Sequence, residues 1–134
     1  MVKNTFGGDR LQQKDNTFDV EYYEKSDGTF PAEEFILEQN NKMKAKLFRL
    51  LVLLEEKGNE LREPYSKVLE DGIFELRATQ GGSITRILYF FVVGRKIILT
   101  HGFTKKTQKT PPVEIERAKK YRCDYHDREV IENG

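Results

Sequence analysis

The chain has 134 residues, of which 34% are charged and 37% hydrophobic, and a formal net charge of +1. That size suits one domain, and the composition is that of a soluble globular protein rather than a disordered one. No apolar run approaches the roughly 18–20 residues of a membrane-spanning helix, and the single cysteine, Cys123, excludes an internal disulfide and a cysteine-cluster zinc site.

The polar N-terminus lacks a hydrophobic signal core, so no secretion is expected, and the lone thiol fits a reducing cytoplasm. Charge is uneven along the chain. Residues 1–65 carry ten Lys/Arg and thirteen Asp/Glu, residues 66–123 twelve and five, and residues 124–134 one and four. A basic block between acidic flanks suggests a surface that faces a polyanion, or else basic side chains scattered over several solvated faces.

Residues 1–16 are polar and aperiodic and read as a flexible extension. A single domain is expected over 17–128, followed by an acidic tail over 129–134. Phe18, Val20 and Tyr22 alternate with polar residues as in a half-buried strand, and Ser26-Asp27-Gly28 marks a turn. Pro31 opens a helix whose first turn holds Glu33 and Glu34. The pattern restarts near Asn40-Asn41, and Met43, Leu47, Leu50, Leu51 and Leu54 form the core face of a second helix that Gly58 ends. Strands are predicted at Ile73–Thr79, Ser83–Val93 and Lys96–Phe103. The apolar run from Ile87 to Val93 marks a central strand buried on both faces. Pro111-Pro112 introduces a last helix with Ile115, Ala118, Arg122 and Tyr125 along one side. The expected class is α+β: two N-terminal helices and a C-terminal helix packed on an antiparallel β-meander with an added N-terminal strand.

Standard site signatures are absent. There is no phosphate-binding glycine loop, and two separated histidines, His101 and His126, are too few for a metal site, so no cofactor is expected. The basic residues on and beside the strands stand out instead. Arg86 sits in the most apolar stretch of the chain, where a charge is costly unless paired or solvated in a cleft. It reads either as a structural partner of Glu75 across strands or as a phosphate-binding arginine. His101 alternates with Leu99 and Phe103, which favours a core or hydrogen-bonded structural role.

Several runs resemble the phage-derived toxin family within the RelE/HigB group. They are Leu61-Arg62-Glu63-Pro64-Tyr65-Ser66-Lys67-Val68-Leu69, then Asp71 to Arg77, Arg86-Ile87-Leu88-Tyr89-Phe90, and His101-Gly102-Phe103-Thr104-Lys105-Lys106 through Pro111. Asp27-Gly28, Pro31 and Phe35 match the family's start, and Glu114-Ile115 with Ala118 its last helix. The resemblance covers about residues 18–125. It implies a RelE-like fold and a metal-independent mRNA endonuclease acting on translated mRNA at the ribosome. A helix-turn-helix antitoxin encoded beside it is the implied partner.

The resemblance also assigns roles. Arg86 matches the phosphate-contacting arginine of an Arg-x-Leu-Tyr strand motif, and Arg77 the arginine ending the preceding strand. Lys105 and Lys106 lie where relatives carry C-terminal catalytic side chains, and Glu63 lies near a catalytic Glu-Pro of one relative. Lys67, Thr107 and Lys109 are expected to bind RNA. This sequence departs from the pattern by holding Ile73 and Glu75 where some relatives have lysines, and by lacking a C-terminal His-Tyr pair. That leaves Glu63 and Glu75 as candidate carboxylate bases. Two other functions fit the same fold: a ParE-like toxin that inhibits gyrase, and a non-catalytic module that binds nucleic acid or an antitoxin.

Overall fold

The structure, a computed structural model, describes residues 17–133; the N-terminal extension expected over 1–16 lies outside the described residues. The first strand, β1 (Asp19–Tyr22), buries Val20 completely, as its alternation requires. Pro31 begins α1 (Pro31–Leu37), where its missing N–H leaves no helical bond unmade. Asn40 then caps α2 (Asn41–Lys57): its Oδ1 accepts the Met43 N–H at 2.8 Å. The leucine stripe of α2 is buried, and Gly58 closes the helix at a positive φ of 54°. A Cβ at Gly58 would also meet the Phe18 ring at 2.0 Å, so the cap and the packing both require glycine.

A short 3-10 turn (Gly58–Glu60) leads to β2 (Ser66–Val68), followed by β3 (Phe74–Gln80), β4 (Ser83–Val92), β5 (Lys96–Lys105) and α3 (Pro112–Asn133). The sheet order is β1-β5-β4-β3-β2. The meander therefore has four antiparallel strands rather than the three expected, because β2 adds Ser66, Lys67 and Val68 against Leu76, Glu75 and Phe74. The sheet is also mixed, since β1 runs parallel to β5. Helix α3 continues through residues 129–133, which were expected to form a tail.

The helices divide between the two faces of the sheet. Helices α1 and α2 cover Val20, Leu76, Ala78, Ile87, Tyr89, Ile97 and Leu99. Helix α3 covers a smaller core of Ile73, Leu88, Phe90, Ile98 and Phe103, joined by Tyr23 and Ala118. Strand β4 is central and contributes to both, which is why its run is apolar without alternation. A bulge at Thr100 shifts the register, so that Leu88 pairs with His101 and Tyr89 with Leu99. Its effect is to turn His101 and Phe103 onto the α3 face, although Leu99 lies on the other. The Thr100 hydroxyl donates to the Leu88 carbonyl at 3.1 Å and holds the bulge.

Gly102 falls on the opposite face from its neighbours, against α1. A Cβ there would approach the Phe35 ring at 2.2 Å. Gly102→Ala is therefore expected to lower the unfolding free energy by about 1–3 kcal/mol, the usual cost of overpacking. Combined with Phe35→Leu, it should cost less than the sum of the two single changes, as read by urea denaturation.

Candidate functional site

Strand pairing sets Arg77 directly opposite Arg86, and Lys67 opposite Glu75. Ile84 lies two residues from Arg86 and pairs with Lys105. Cross-strand partners share a face, so Lys67, Glu75, Arg77, Arg86 and Lys105 all rise from the α3 side of the sheet. Beyond the end of α3, that side is covered by the loop from Lys106 to Pro111.

Glu75 is the hub. Its side chain has no solvent exposure, and it lies between two guanidinium groups: Arg77 Nε at 3.1 Å from Oε2 and Arg86 Nε at 3.4 Å from Oε1. The Thr110 hydroxyl donates to Oε1 at 2.6 Å. Two arginines and one carboxylate leave a positive surplus, and backbone carbonyls absorb it. Arg86 Nη2 donates to the carbonyls of Thr107 and, at 3.0 Å, Gln108. Arg77 Nη2 donates to the Gln108 carbonyl at 2.8 Å. The Arg86 guanidinium also lies 5.6 Å from the centre of the Phe103 ring. Burial draws the Arg86 pKa below the usual arginine value; the charge of Glu75 raises it and that of Arg77 lowers it further.

Arg86 is thus sealed, with 0% exposure, among protein partners. The cross-strand pairing with Glu75, one of the two sequence readings, is present. The phosphate contact expected of Arg86 finds no open surface here. Arg77 keeps a side-chain exposure of 13% at the edge of the cluster. The expected Lys105, at the end of β5, and Lys106, Thr107 and Lys109, on the loop that the two arginines anchor, are all exposed, and Lys67 is half-buried on β2. The loop's cations are presented, whereas its backbone is pinned.

Glu63 lies elsewhere, lining an open groove of about 1120 Å³ between α2 and the edge of β3. Arg77 and Gln108 reach the same groove from the sheet side, and Lys46 and Arg49 from α2. Glu63 and Arg77 therefore share one surface, with the loop of Lys105–Lys109 adjoining it through Gln108. Glu75, the other candidate base, is neutralised inside the sheet. Sequence reasoning missed Lys46, Arg49, Phe48, Tyr65, Gln108 and Thr110. A signal existed for α2, whose Phe48 and Val52 stand four apart and off the leucine stripe. None existed for Thr110.

His101 takes the structural role. Its Nε2 lies 3.0 Å from Glu114 Oε1 on α3, and its Nδ1 lies 3.1 Å from the Thr100 hydroxyl. Burial pulls its pKa below 6.5, against the opposing pull of Glu114. Helix α3 is tied down further by Lys119 to Glu70 at 2.6 Å, Arg122 to Asp71 at 2.9 Å and Tyr23 to Asp124 at 2.6 Å. Among the described residues, no three His, Cys, Asp or Glu side chains are grouped to hold a metal ion, and no helix is long and apolar enough to cross a membrane.

Removing one member of a buried ion cluster leaves the others uncompensated. Arg86→Ala is expected to cost about 3–5 kcal/mol of stability, whereas Lys105→Ala/Lys106→Ala should melt like the wild type in calorimetry. A second outcome concerns pH. The folded chain binds a proton at His101 less tightly than the unfolded chain does. The stability this contributes is full above about pH 6.5 and declines as the pH falls through that value towards the lowered one. His101→Gln should flatten the decline in melting temperature between about pH 6.5 and 5.

One family model matches residues 34–122, described as Phage derived protein Gp49-like (DUF891). No curated protein matches the chain significantly. The matched segment runs from α1 to the middle of α3 and so contains the ion cluster, the anchored loop and the groove. The chain belongs to the Gp49-like family of phage-derived proteins, a family known in toxin–antitoxin systems.

Proposed function

We propose that this chain is the toxin of a toxin–antitoxin pair, with a RelE-like fold, and that it cuts messenger RNA without a metal ion. The carrying observation is that Glu63 and Arg77 line one groove, beside an exposed loop rich in lysine. In such a cleavage the ribose 2′-oxygen forms a bond to the adjacent phosphorus, and the bond from phosphorus to the 5′-oxygen breaks. Glu63 takes the 2′ proton. Arg77 stabilises the charge that builds on the phosphorane. Lys105 or Lys106 returns a proton to the leaving 5′-oxygen. The products are a 2′,3′-cyclic phosphate and a 5′-hydroxyl. In this reading Arg86 is a positioning residue, which acts through the Thr107 and Gln108 carbonyls it holds. Lys67, Thr107 and Lys109 guide the strand. Translated mRNA on the ribosome, in the cytoplasm, is the proposed substrate, and a helix-turn-helix antitoxin the proposed partner.

The sealed Arg86 favours one other reading, a family member that binds nucleic acid or antitoxin but does not cut. Cleavage separates the two. Ribosomes programmed with a defined mRNA should yield 5′-hydroxyl fragments with the wild type. Glu63→Gln should slow cutting by about 10²–10⁴-fold, as loss of a general base does. Binding to free single-stranded RNA should weaken with salt at a slope of about −0.7 per phosphate contact, hence about −2 to −3 in all. Lys105→Ala/Lys106→Ala should make that slope shallower. Unchanged cleavage by Glu63→Gln would remove Glu63 from the mechanism, and no cleavage by the wild type would leave the binding module.

A further inference from the structure

The groove beside Glu63 carries a feature that phosphate chemistry does not need. Among the phenylalanines and tyrosines of the described residues, just two are exposed: Phe48 at 37% and Tyr65 at 47%. Both line this groove. They stand on different walls, Phe48 on α2 and Tyr65 on the segment entering β2. Apolar Leu50, Leu53, Ala78 and Ile84 line the groove as well. The charged lining is three cations, Lys46, Arg49 and Arg77, against two carboxylates, Glu56 and Glu63. The Lys46 ammonium is held by the Thr79 carbonyl at 2.7 Å. Arg77 is fixed by Glu75, and its backbone N–H donates to the Tyr65 carbonyl at 2.9 Å. That bond holds the backbones of Tyr65 and Arg77 side by side at the strand edge.

We propose that this groove is the base-binding track of the enzyme, in which Tyr65 and Phe48 stack on unpaired bases of single-stranded RNA. Arg77, Arg49 and Lys46 follow the phosphates between them. Complementarity supports this assignment. A single strand offers flat apolar rings at intervals along an anionic backbone, and the groove offers two exposed aromatic rings, further apolar side chains and an excess of cations, three against the two carboxylates Glu56 and Glu63. A duplex hides those rings inside its own stack, so the groove selects unpaired RNA. The proposal rests on the RNA-cutting reading above, but its chemistry is binding and can be measured without cleavage.

The chain contains no tryptophan, so Tyr65→Trp places the sole indole of the protein inside the groove. Titration with an uncleavable ten-nucleotide single strand of 2′-deoxy residues should quench its emission. A duplex of the same sequence should not, and neither should an abasic strand of equal length, which keeps the phosphates and lacks the rings. Tyr65→Ala and Phe48→Ala should each weaken binding of the single strand by roughly 5- to 100-fold, the loss of about one stacked base. Tyr65→Phe should bind like the wild type. The alanine variants should raise the KM for RNA far more than they lower the single-turnover rate, and circular dichroism should show them folded. Equal binding by Tyr65→Ala and the wild type would overturn the proposal, as would equal quenching by the abasic strand. An emission change that depends on protein concentration, without nucleic acid, would assign the face to a second copy of the chain and equally overturn it. If the wild type cuts no RNA while the single strand still quenches the indole of the Tyr65→Trp variant and the alanine variants still weaken binding, the track stands and the nuclease reading falls.

Discussion

A carboxylate clasped between two arginines inside the sheet is the constraint on which the rest of the site depends. Glu75, Arg77 and Arg86 occupy neighbouring positions of β3 and β4, where each would be prohibitive alone. Their mutual attraction is not enough, because the cluster carries one positive charge more than it neutralises. The surplus is resolved by turning the carbonyls of Thr107 and Gln108 inward. A loop that would otherwise be solvated is thereby nailed to the sheet. The charge balance of these three residues thus determines the course of the six residues between β5 and α3.

The cluster thus separates arginines that hold the loop from lysines that stay exposed. A guanidinium suits the first task, since its fixed fork of donors reaches a carboxylate and two carbonyls together. The exposed Lys105, Lys106 and Lys109 keep their mobility and their hydration. A phosphate meeting them displaces water from flexible side chains but finds the backbone beneath already ordered, so less entropy is lost on binding. Within residues 66–123, Arg86 is drawn wholly inside beside Glu75, Arg77 keeps part of its side chain at the groove, and Lys119 and Arg122 pair with the carboxylates of Glu70 and Asp71.

What the sequence revealed depended on how local each feature is. The leucine stripe of α2, the Asn40 restart, the Gly58 stop and the non-alternating Ile87–Phe90 run each sit within one element, and their periods could be read directly. Strand β2 could not be read that way: three residues after Pro64 are too few to show a period. The facing of the β5 side chains was hidden too, because a one-residue bulge at Thr100 reverses their alternation after Leu99. Arg86 was legible as an anomaly but not as a role. Charge in an apolar strand demands a partner, yet whether that partner is Glu75 or a ligand is decided by residues 107–110, which no periodicity connects to β4. The groove was least visible, since its walls come from segments near residues 50, 64, 78 and 108.

The groove and the cluster meet at Arg77, so a change in one reaches the other. Its Nε faces the buried carboxylate and its Nη2 the loop, yet part of the side chain lines the open groove. A change in the ion cluster is therefore felt in two places, at the lysine loop through Gln108 and at the groove through the guanidinium itself. The reverse also holds. A polyanion on the groove would draw on the same guanidinium that balances Glu75, and the loop carbonyls would carry less of the surplus charge. Coupling of this kind needs no moving domain. It follows from one side chain having three claims on it, and it makes the loop's hold on the sheet sensitive to what occupies the groove.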